Sequence, residues 1–392
     1  MLNIRNLGGY LSPFSDAEME RRLAGGQKVI RDHGIDCIIM YGEDGKAGGA
    51  IKYFTDITPV GPYFAIIPKE GKVFLTAHGP SGSPARPPQL YTNLGESVLT
   101  TYRLNLGYTS NLFIEQMLSW LKKLGCKKIG LYRPQMIPYL LVDSLRENID
   151  GLQLVTDLDD DIDYLRAVKS EEELELLYHI VDVHDRVYAS LPCFIRPGRL
   201  EREVANDISR VCIDLGCELL NIMIGTGNPY AKHKYSLQQN IMIKQGDTID
   251  LLVEVAGVGG YWGEVSRMWC LGEPSPELIK AVEDNFKIQD KLAKMAKPGL
   301  KAIRFREEML KFQAENGYLP ERRIFGHSQG SDMVDRPAYV DGETMEFREN
   351  MFISIHPTLE TNTIYTMNTD NYLVTKNEAV LLNKTPQKLF LA

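Results

Sequence analysis

Two stretches in the second half of the chain repeat one pattern at the same spacing. Helices are predicted over 198–216 and 299–317, each opened by a Pro-Gly pair and closed by a glycine 18 residues later. Proline and glycine commonly punctuate helices in this way. A histidine-bearing segment follows each helix, at His233 and at His327. The pattern predicts a duplicated helix–strand unit, with a site between the two halves that receives both histidines.

The first part of the chain alternates helix and strand signals. Apolar runs at 63–67 and 73–76 indicate a hairpin within a mixed sheet. An acidic run at 157–161 precedes Ser170, which opens a long helix with a capping box. Because 392 residues exceed the size at which a single core stops growing, two domains are expected. We predict an α/β domain over residues 1–160 and a second domain over residues 161–392.

Composition excludes several classes of partner. The net charge of −8 argues against a nucleic-acid surface, because neutralising phosphates requires clustered lysine and arginine. No apolar run reaches the roughly 18 residues that cross a bilayer, and the first residues lack the pattern of a secretory signal. Six cysteines without regular spacing are typical of reduced core thiols. We expect a cytoplasmic protein that binds a small-molecule substrate and neither nucleic acid nor membrane.

Two segments of the second domain carry family motifs. The GHSQG segment at 326–330 and the stretch 246–267 resemble signatures of the creatinase/aminopeptidase P/prolidase superfamily. The resemblance implies an N-terminal creatinase-type α/β domain followed by a pita-bread domain with pseudo-twofold duplicated helix–strand halves. In the peptidase members of this superfamily, two Asp, one His and two Glu hold a pair of divalent ions.

Most of the five ligand positions hold different residues in this chain. The resemblance places Leu252 and Glu264 at the two Asp positions, His327 at the His position, and His356 and Thr369 at the two Glu positions. Two divalent ions bring four positive charges that carboxylates normally neutralise. A two-metal peptidase is therefore not expected, and the character of the chain is closer to metal-independent creatinase-like and ectoine-hydrolase-like members.

His233 is the first catalytic candidate. It ends the loop 225–233, which resembles the superfamily loop whose terminal histidine contacts substrate and carries the proton in metal-free creatinases. A histidine near neutrality can accept and donate a proton in successive steps. The alternative is a loop histidine bonded to backbone.

Glu254 and Glu264 are the candidate base or nucleophile. Glu254 lies in an apolar strand, where an isolated carboxylate is costly unless it is paired or its pKa rises. Glu264 lies on the returning strand of a Gly-rich hairpin, within side-chain reach of Glu254. The alternatives are an edge-strand Glu254 that faces solvent and a structural ion pair between Glu264 and Arg267.

The remaining candidates are two further catalytic residues, His327 and His356, and a set of substrate-binding residues. Without metal, His327 and His356 would donate hydrogen bonds to substrate, and with metal they would be ligands. Predicted substrate-binding residues of the second domain are Tyr261, Arg267 and Arg336, although Arg336 also fits a surface turn with Asp335. Superfamily members are commonly dimers, so the resemblance implies a homodimer in which Tyr53 and Tyr63 line the pocket of the neighbouring subunit.

Three functions compete. The favoured one is a metal-independent hydrolase of a small polar, non-peptide C–N substrate, without a cofactor, in which metal-dependent peptidase activity is not expected. The second is a lyase or hydrolase with one divalent metal ion, held by Glu254, Glu264, His327 and His356. The third is an Xaa-Pro peptidase-like protein or a non-catalytic binding module.

Overall fold

The computed structural model describes residues 5–7, 10–43, 48–57, 61–83, 92–230, 232–233 and 240–392. The chain divides into two compact units, Met1–Arg166 and Ala167–Ala392. The boundary predicted after residue 160 lies within the helix Asp159–Ala167, which ends at this division. Each unit is described below by itself.

The first unit is built on a six-stranded mixed sheet. The strands of the unit are β1 (Arg5–Leu7), β2 (Tyr10–Ser12), β3 (Cys37–Gly42), β4 (Tyr63–Pro68), β5 (Val73–His78), β6 (Leu94–Thr100), β7 (Lys128–Leu131) and β8 (Gln153–Val155), and β1 and β2 form a separate two-stranded sheet. Its helices are α1 (Asp16–Asp32), α2 (Gly49–Thr55), α3 (Ser110–Leu124), α4 (Tyr139–Asn148) and α5 (Asp159–Ala167). The large sheet has the order β6-β5-β4-β3-β7-β8, and β4 and β5 form the predicted antiparallel hairpin.

Strand β3 shows why this sheet needs helices on both faces. Ile38 and Met40 pack into one apolar core with residues of α1 and α2, whereas Ile39 and Tyr41 pack into another with residues of α3 and α4. Successive side chains of a strand point to opposite faces, so a continuously apolar strand is buried on both.

Tyr53 and Tyr63 lie inside the first of these two cores. Each is only 1% exposed, and the Tyr53 hydroxyl donates a hydrogen bond to the Leu165 carbonyl at 3.0 Å. This burial does not fit the expectation that both tyrosines line a pocket of a neighbouring subunit, because neither side chain is presented at the surface of the chain.

The second unit contains two large sheets, a two-stranded sheet and four long helices in its described part. Its helices are α6 (Glu171–Ser190), α7 (Glu201–Asp214), α8 (Pro276–Met295) and α9 (Ile303–Asn316). Its strands are β9 (Leu219–Gly227), β10 (Thr248–Ala256), β11 (Trp262–Cys270), β12 (Gly326–Ser328), β13 (Asp335–Ala338), β14 (Phe352–Ile355), β15 (Thr358–Glu360), β16 (Tyr365–Met367), β17 (Asp370–Val374), β18 (Ala379–Leu381) and β19 (Phe390–Leu391). Reciprocal backbone hydrogen bonds between Ser266 and Thr369 connect the sheets β19-β11-β10-β9 and β13-β12-β14-β17-β18.

The duplicated pattern corresponds to two equivalent halves, each a pair of helices followed by strands. All four glycines that mark it have positive φ: 86° at Gly198, 89° at Gly216, 87° at Gly299 and 76° at Gly317. Glycine reaches this region without the steric cost that a Cβ imposes, so the repeat marks equivalent turns. The predicted capping box at Ser170 is also present, with both of its hydrogen bonds to Glu173. The predicted fold class is confirmed.

No helix within the described ranges is long and apolar enough to cross a membrane.

All six cysteines are free thiols, and Cys193 is exposed, unlike the core thiol that the sequence predicted.

Arg267 connects the C-terminal segment to the hairpin formed by β10 and β11. Its guanidinium is fully buried, pairs with Asp370 at 2.6 Å, and donates to four backbone carbonyl groups. The accepting carbonyl groups are those of Ser266, Thr369, Thr385 and Pro386. The predicted ion pair between Arg267 and Glu264 is therefore not formed, because these partners take up the donors of the guanidinium.

Replacing Asp370 should destabilise the second unit strongly. Asp370→Ala leaves the Arg267 guanidinium buried without its anion, and breaking a buried pair from one side costs about 3–5 kcal/mol. Urea unfolding monitored by tryptophan fluorescence measures the change. Asp290→Ala, which removes the surface partner of Lys294, should leave the free energy of unfolding nearly unchanged. Equal stability of the two variants would contradict the anchoring role of the pair.

Candidate metal centre

The register of one hairpin places two carboxylates side by side. Strands β10 and β11 pair antiparallel with Glu254 directly opposite Glu264, and both side chains are buried, at 4% and 2% exposure. Strand β10 is central, because β9 pairs with its other edge. The edge-strand alternative for Glu254 therefore does not apply. The Glu254 carboxylate accepts hydrogen bonds from Asn221 Nδ2 at 2.7 Å and from Gln329 Nε2 at 3.3 Å.

Two histidines from the second half meet Glu264. His327 Nε2 lies 3.5 Å and His356 Nε2 lies 3.8 Å from Glu264 Oε1. His327 Nδ1 lies 3.0 Å from the Ser328 carbonyl oxygen, which holds the ring with Nε2 towards Glu264. Ser354 Oγ donates a hydrogen bond to the same Glu264 oxygen. Three predicted site residues thus form one cluster.

Burial controls the protonation of this cluster. Desolvation raises the pKa of Glu264 to about 7, against the opposing hydrogen bond from Ser354. Desolvation lowers the pKa of His327, and it lowers that of His356 well below the usual value, helped by the nearby His327 and Arg323. At neutral pH both imidazoles are uncharged and carry free lone pairs, which is the form that binds metal.

The cluster fits one divalent ion. Its three potential ligand atoms all lie within 4.8 Å of one another. Zinc bonds of about 2.0–2.1 Å in a tetrahedral arrangement separate ligand atoms by about 3.3 Å, close to the distances found around Glu264 Oε1. Two histidines and one carboxylate are a common set at catalytic zinc, which keeps its fourth position for water or substrate. The hydrogen bond from His327 Nδ1 to the Ser328 carbonyl oxygen is of the kind that orients the ring of a metal-binding histidine.

The donors do not fit a second ion. Leu252 offers no ligand atom and packs against Tyr365 and Met367. Thr369 is fully buried, bonds to Ser266 through its backbone, and brings no negative charge. The carboxylate of Glu254 is held by its two amide donors and is not part of the three-residue cluster.

His233 faces the same space from the first half of the unit. It is 5% exposed, and its Nδ1 lies 2.5 Å from Asp250 Oδ2, whose residue is fully buried on β10. Its backbone N–H donates to the same oxygen at 3.0 Å. The alternative of a histidine held only by backbone does not describe this side chain.

A cavity of about 320 Å³ joins these groups. His233, Glu254, Glu264, His327 and His356 all contribute to its wall. The rest of the wall is mostly apolar, from Met223, Leu252, Ile324, Met333, Val334 and Met367. Arg323 completes it and also lines an adjoining cavity of about 540 Å³, which His233 shares.

Three predicted substrate-binding residues of this unit lie elsewhere. Arg267 is bound to Asp370 as described, and the Tyr261 hydroxyl donates to Glu173 at 2.8 Å. Arg336 forms a two-point ion pair with Glu343, at 2.6 and 3.2 Å. None of the three is among the described residues that line the cavity. Their hydrogen bonds connect structural elements of the unit.

Sequence reasoning missed Asp250, Ser354 and Arg323. Asp250 had a detectable signal, because it is a lone carboxylate in the same apolar strand as Glu254 and, four residues away, on the same face of the sheet. Ser354 and Arg323 had none, because only the folded chain brings them beside Glu264 and His356.

The signature of metallopeptidase family M24 matches residues 175–378, just over half of the chain. The chain belongs to the metallopeptidase family M24. This places the cluster of Glu264, His327 and His356 within a family of metal-dependent peptidases.

Several curated relatives bear dipeptidase names. The chain is 26% identical over 234 residues to the "Probable dipeptidase PepE" of Mycobacterium tuberculosis, covering 58% of this chain and 61% of that protein. It is 24% identical over 270 residues to the "Xaa-Pro dipeptidase" of Pyrococcus horikoshii, covering 68% of this chain and 75% of that protein. The match thus spans about three fifths of the mycobacterial relative.

Solved structures share the fold over nearly the whole chain. The prolidase of Pyrococcus horikoshii superposes with a TM-score of 0.76 at 20% identity, covering 94% of this chain and 99% of that one. The X-Pro aminopeptidase of Thermotoga maritima superposes with a TM-score of 0.77 at 18% identity, covering 95% and 99%. At this level of identity the likeness shows the fold alone.

These findings overturn four expectations. It was wrong to expect a metal-independent, creatinase-like hydrolase of a non-peptide C–N substrate. It was also wrong to expect no cofactor and to exclude metal-dependent peptidase activity. The physical error was to count missing carboxylates against two ions. A site for one ion needs fewer negative charges, and Glu264 with two neutral histidines supplies three ligands.

Metal binding should depend on pH through Glu264. Because burial raises its pKa to about 7, Mn²⁺ must displace a proton from Glu264 at about pH 6, whereas the two neutral histidines release none. We expect the dissociation constant to rise about tenfold per unit of pH below 7, with close to one proton released per ion. Calorimetry in two buffers of different ionisation enthalpy measures the release. Release of two or more protons at pH 6 would show that the histidines are protonated.

Proposed function

We propose that this protein is a metal-dependent dipeptidase that uses a single divalent ion held by Glu264, His327 and His356. The observation that carries the proposal is that three buried ligand atoms converge from both halves of the unit to within 4.8 Å. Membership of a metallopeptidase family and the dipeptidase names of the relatives support the choice of peptide substrates.

Charge balance supports one ion. Glu264 and Glu254, opposite each other on the hairpin, carry two negative charges when ionised, which neutralise one divalent ion. When bound, such an ion polarises a substrate carbonyl and lowers the pKa of water. Glu254 is positioned by Asn221 and Gln329 to accept the proton of the attacking water. His233, which lines the same cavity, donates a proton to the leaving nitrogen.

The cavity wall supports the proposed class of substrate. Its apolar side chains exclude water and favour an apolar residue such as proline, in line with the Xaa-Pro dipeptidase name of one relative. Arg323 lines both this cavity and the adjoining one. Its guanidinium pairs with Glu321 at 3.2 Å, and we propose that it also binds the free carboxylate of a dipeptide. The predicted homodimer and cytoplasmic location remain predictions.

The metal content tests the single-ion site directly. Elemental analysis of protein prepared with Mn²⁺ or Zn²⁺ should find one ion per chain, and a strong chelator should abolish hydrolysis of Xaa-Pro dipeptides. Glu264→Gln, His327→Ala and His356→Ala should each lose the ion and at least about 100-fold in kcat/KM. His179→Ala, which removes a half-buried histidine of α6, is the control and should retain both. Two ions per chain, or full activity in chelator, would refute the proposal.

Arg323 should distinguish free dipeptides from dipeptide amides. Arg323→Met removes a charge-assisted hydrogen bond, so KM for a dipeptide should rise about 10- to 100-fold while KM for its C-terminal amide stays nearly constant. The neighbouring Arg322→Met is the control, because Arg322 lines only the outer cavity. Equal effects on dipeptide and amide would exclude carboxylate recognition by Arg323.

A further inference from the structure

A buried aspartate holds His233. Asp250 is fully buried on β10, and its Oδ2 lies 2.5 Å from His233 Nδ1. The same oxygen accepts the backbone N–H of His233 at 3.0 Å, and Oδ1 accepts a hydrogen bond from Ser266 Oγ at 3.5 Å. Burying a carboxylate among apolar strand neighbours is costly, so these contacts are what stabilise it there.

The contact decides which ring nitrogen carries the hydrogen. An ionised carboxylate can only accept, so the proton of a neutral His233 must lie on Nδ1. The opposite nitrogen, Nε2, is then the one that remains for the cavity chemistry. His233 lines both the inner cavity and the adjoining outer one, which places it where a bound peptide passes from one to the other.

We propose that Asp250 is a positioning residue for catalysis, which fixes the tautomer of His233 and stabilises the imidazolium from which Nε2 protonates the leaving nitrogen. The proposal rests on the peptidase function proposed above. Asp250 itself does not touch the substrate and acts through His233. Such a carboxylate–histidine pair orients the ring and stabilises its positive charge without taking up the proton itself.

The proton balance of the step is simple. As the water oxygen bonds to the carbonyl carbon, one water proton passes to Glu254 and from there, within the shared cavity, to Nε2 of neutral His233, which becomes the imidazolium. The C–N bond then breaks, its electron pair goes to nitrogen, and nitrogen takes the proton from His233 Nε2. The new carboxylic acid loses its remaining proton to the product amine and leaves as a carboxylate, with Glu254 ionised and His233 neutral again. One water is consumed, and His233 returns to its starting state.

If the role of Asp250 were purely structural, Asp250→Asn would have a different effect. The bond from His233 N–H could simply anchor the loop, and Asp250→Asn keeps an oxygen acceptor for it. The amide of Asn cannot stabilise an imidazolium as a carboxylate does, and when its NH₂ faces Nδ1 it favours the other tautomer. The isosteric variant therefore separates anchoring of the loop from control of the ring.

The experiment measures activity, metal content and tautomer together. In the Mn²⁺- or Zn²⁺-loaded enzyme, Asp250→Asn should lower kcat about 100- to 10,000-fold on an Xaa-Pro dipeptide, with KM changed less than about threefold. Metal content should stay at the wild-type level, so loss of the ion is distinguishable from loss of the dyad. In a His233→Gln background, Asp250→Asn should have little further effect, because the two residues act as one unit.

Asp247→Asn is the matched control. Asp247 is also buried, but its carboxylate accepts the backbone N–H of Lys244 in the turn before β10. This variant should retain kcat. An unchanged kcat in Asp250→Asn with full metal content would overturn the proposal.

Nitrogen NMR of the wild-type protein in the zinc-bound form tests the tautomer even if a variant fails to fold. Signals of the neutral ring should show the hydrogen on Nδ1 of His233, and a hydrogen on Nε2 would overturn the proposal. This result is independent of peptidase activity. An enzyme inactive on dipeptides but with the Nδ1–H tautomer would refute the proposed function and leave the contact with Asp250 intact.

Discussion

The antiparallel pairing of β10 with β11 is the constraint on which the site depends. Side chains alternate across a strand, so this register puts Asp250, Glu254 and Glu264 on one face of one sheet. A slip of one residue would turn the β10 carboxylates to the opposite face. Strand β9 on one edge and the Ser266–Thr369 contact on the other side prevent that slip.

The second half of the unit supplies the two histidines that the hairpin lacks. His327 and His356 approach Glu264 from β12 and the end of β14, two neighbouring strands of the other sheet. The site is thus formed across the joint between the duplicated halves. A carboxylate from one half and two neutral imidazoles from the other make a ligand set with low charge, which suits one ion in a mostly apolar cavity.

Leu252 disfavours a second ion through its packing as well as through its lack of charge. Its side chain packs with Tyr365 and Met367, so the space that a second ion would need is apolar wall. The presence of leucine at this Asp position also makes the cavity more suitable for an apolar substrate residue. Loss of a ligand and gain of a binding surface are therefore two consequences of one side chain.

The sequence by itself determined the fold and the candidate residues. The Pro-Gly pairs and the matching Gly-to-Gly spacing marked the duplication, and motif positions identified His233, Glu254, Glu264, His327 and His356. Local signals of this kind survive in sequence because turns and strand periodicity depend on near neighbours.

Only the tertiary structure decided the chemistry. It placed three ligand atoms within 4.8 Å, turned Arg267 towards Asp370, paired Arg336 with Glu343, and brought Asp250 to His233. These contacts join residues that are distant in sequence or lie in different strands. Whether a side chain becomes a ligand, an anchor or a proton donor depends on its partners and on its burial, which shifts its pKa, and both arise only when the chain folds.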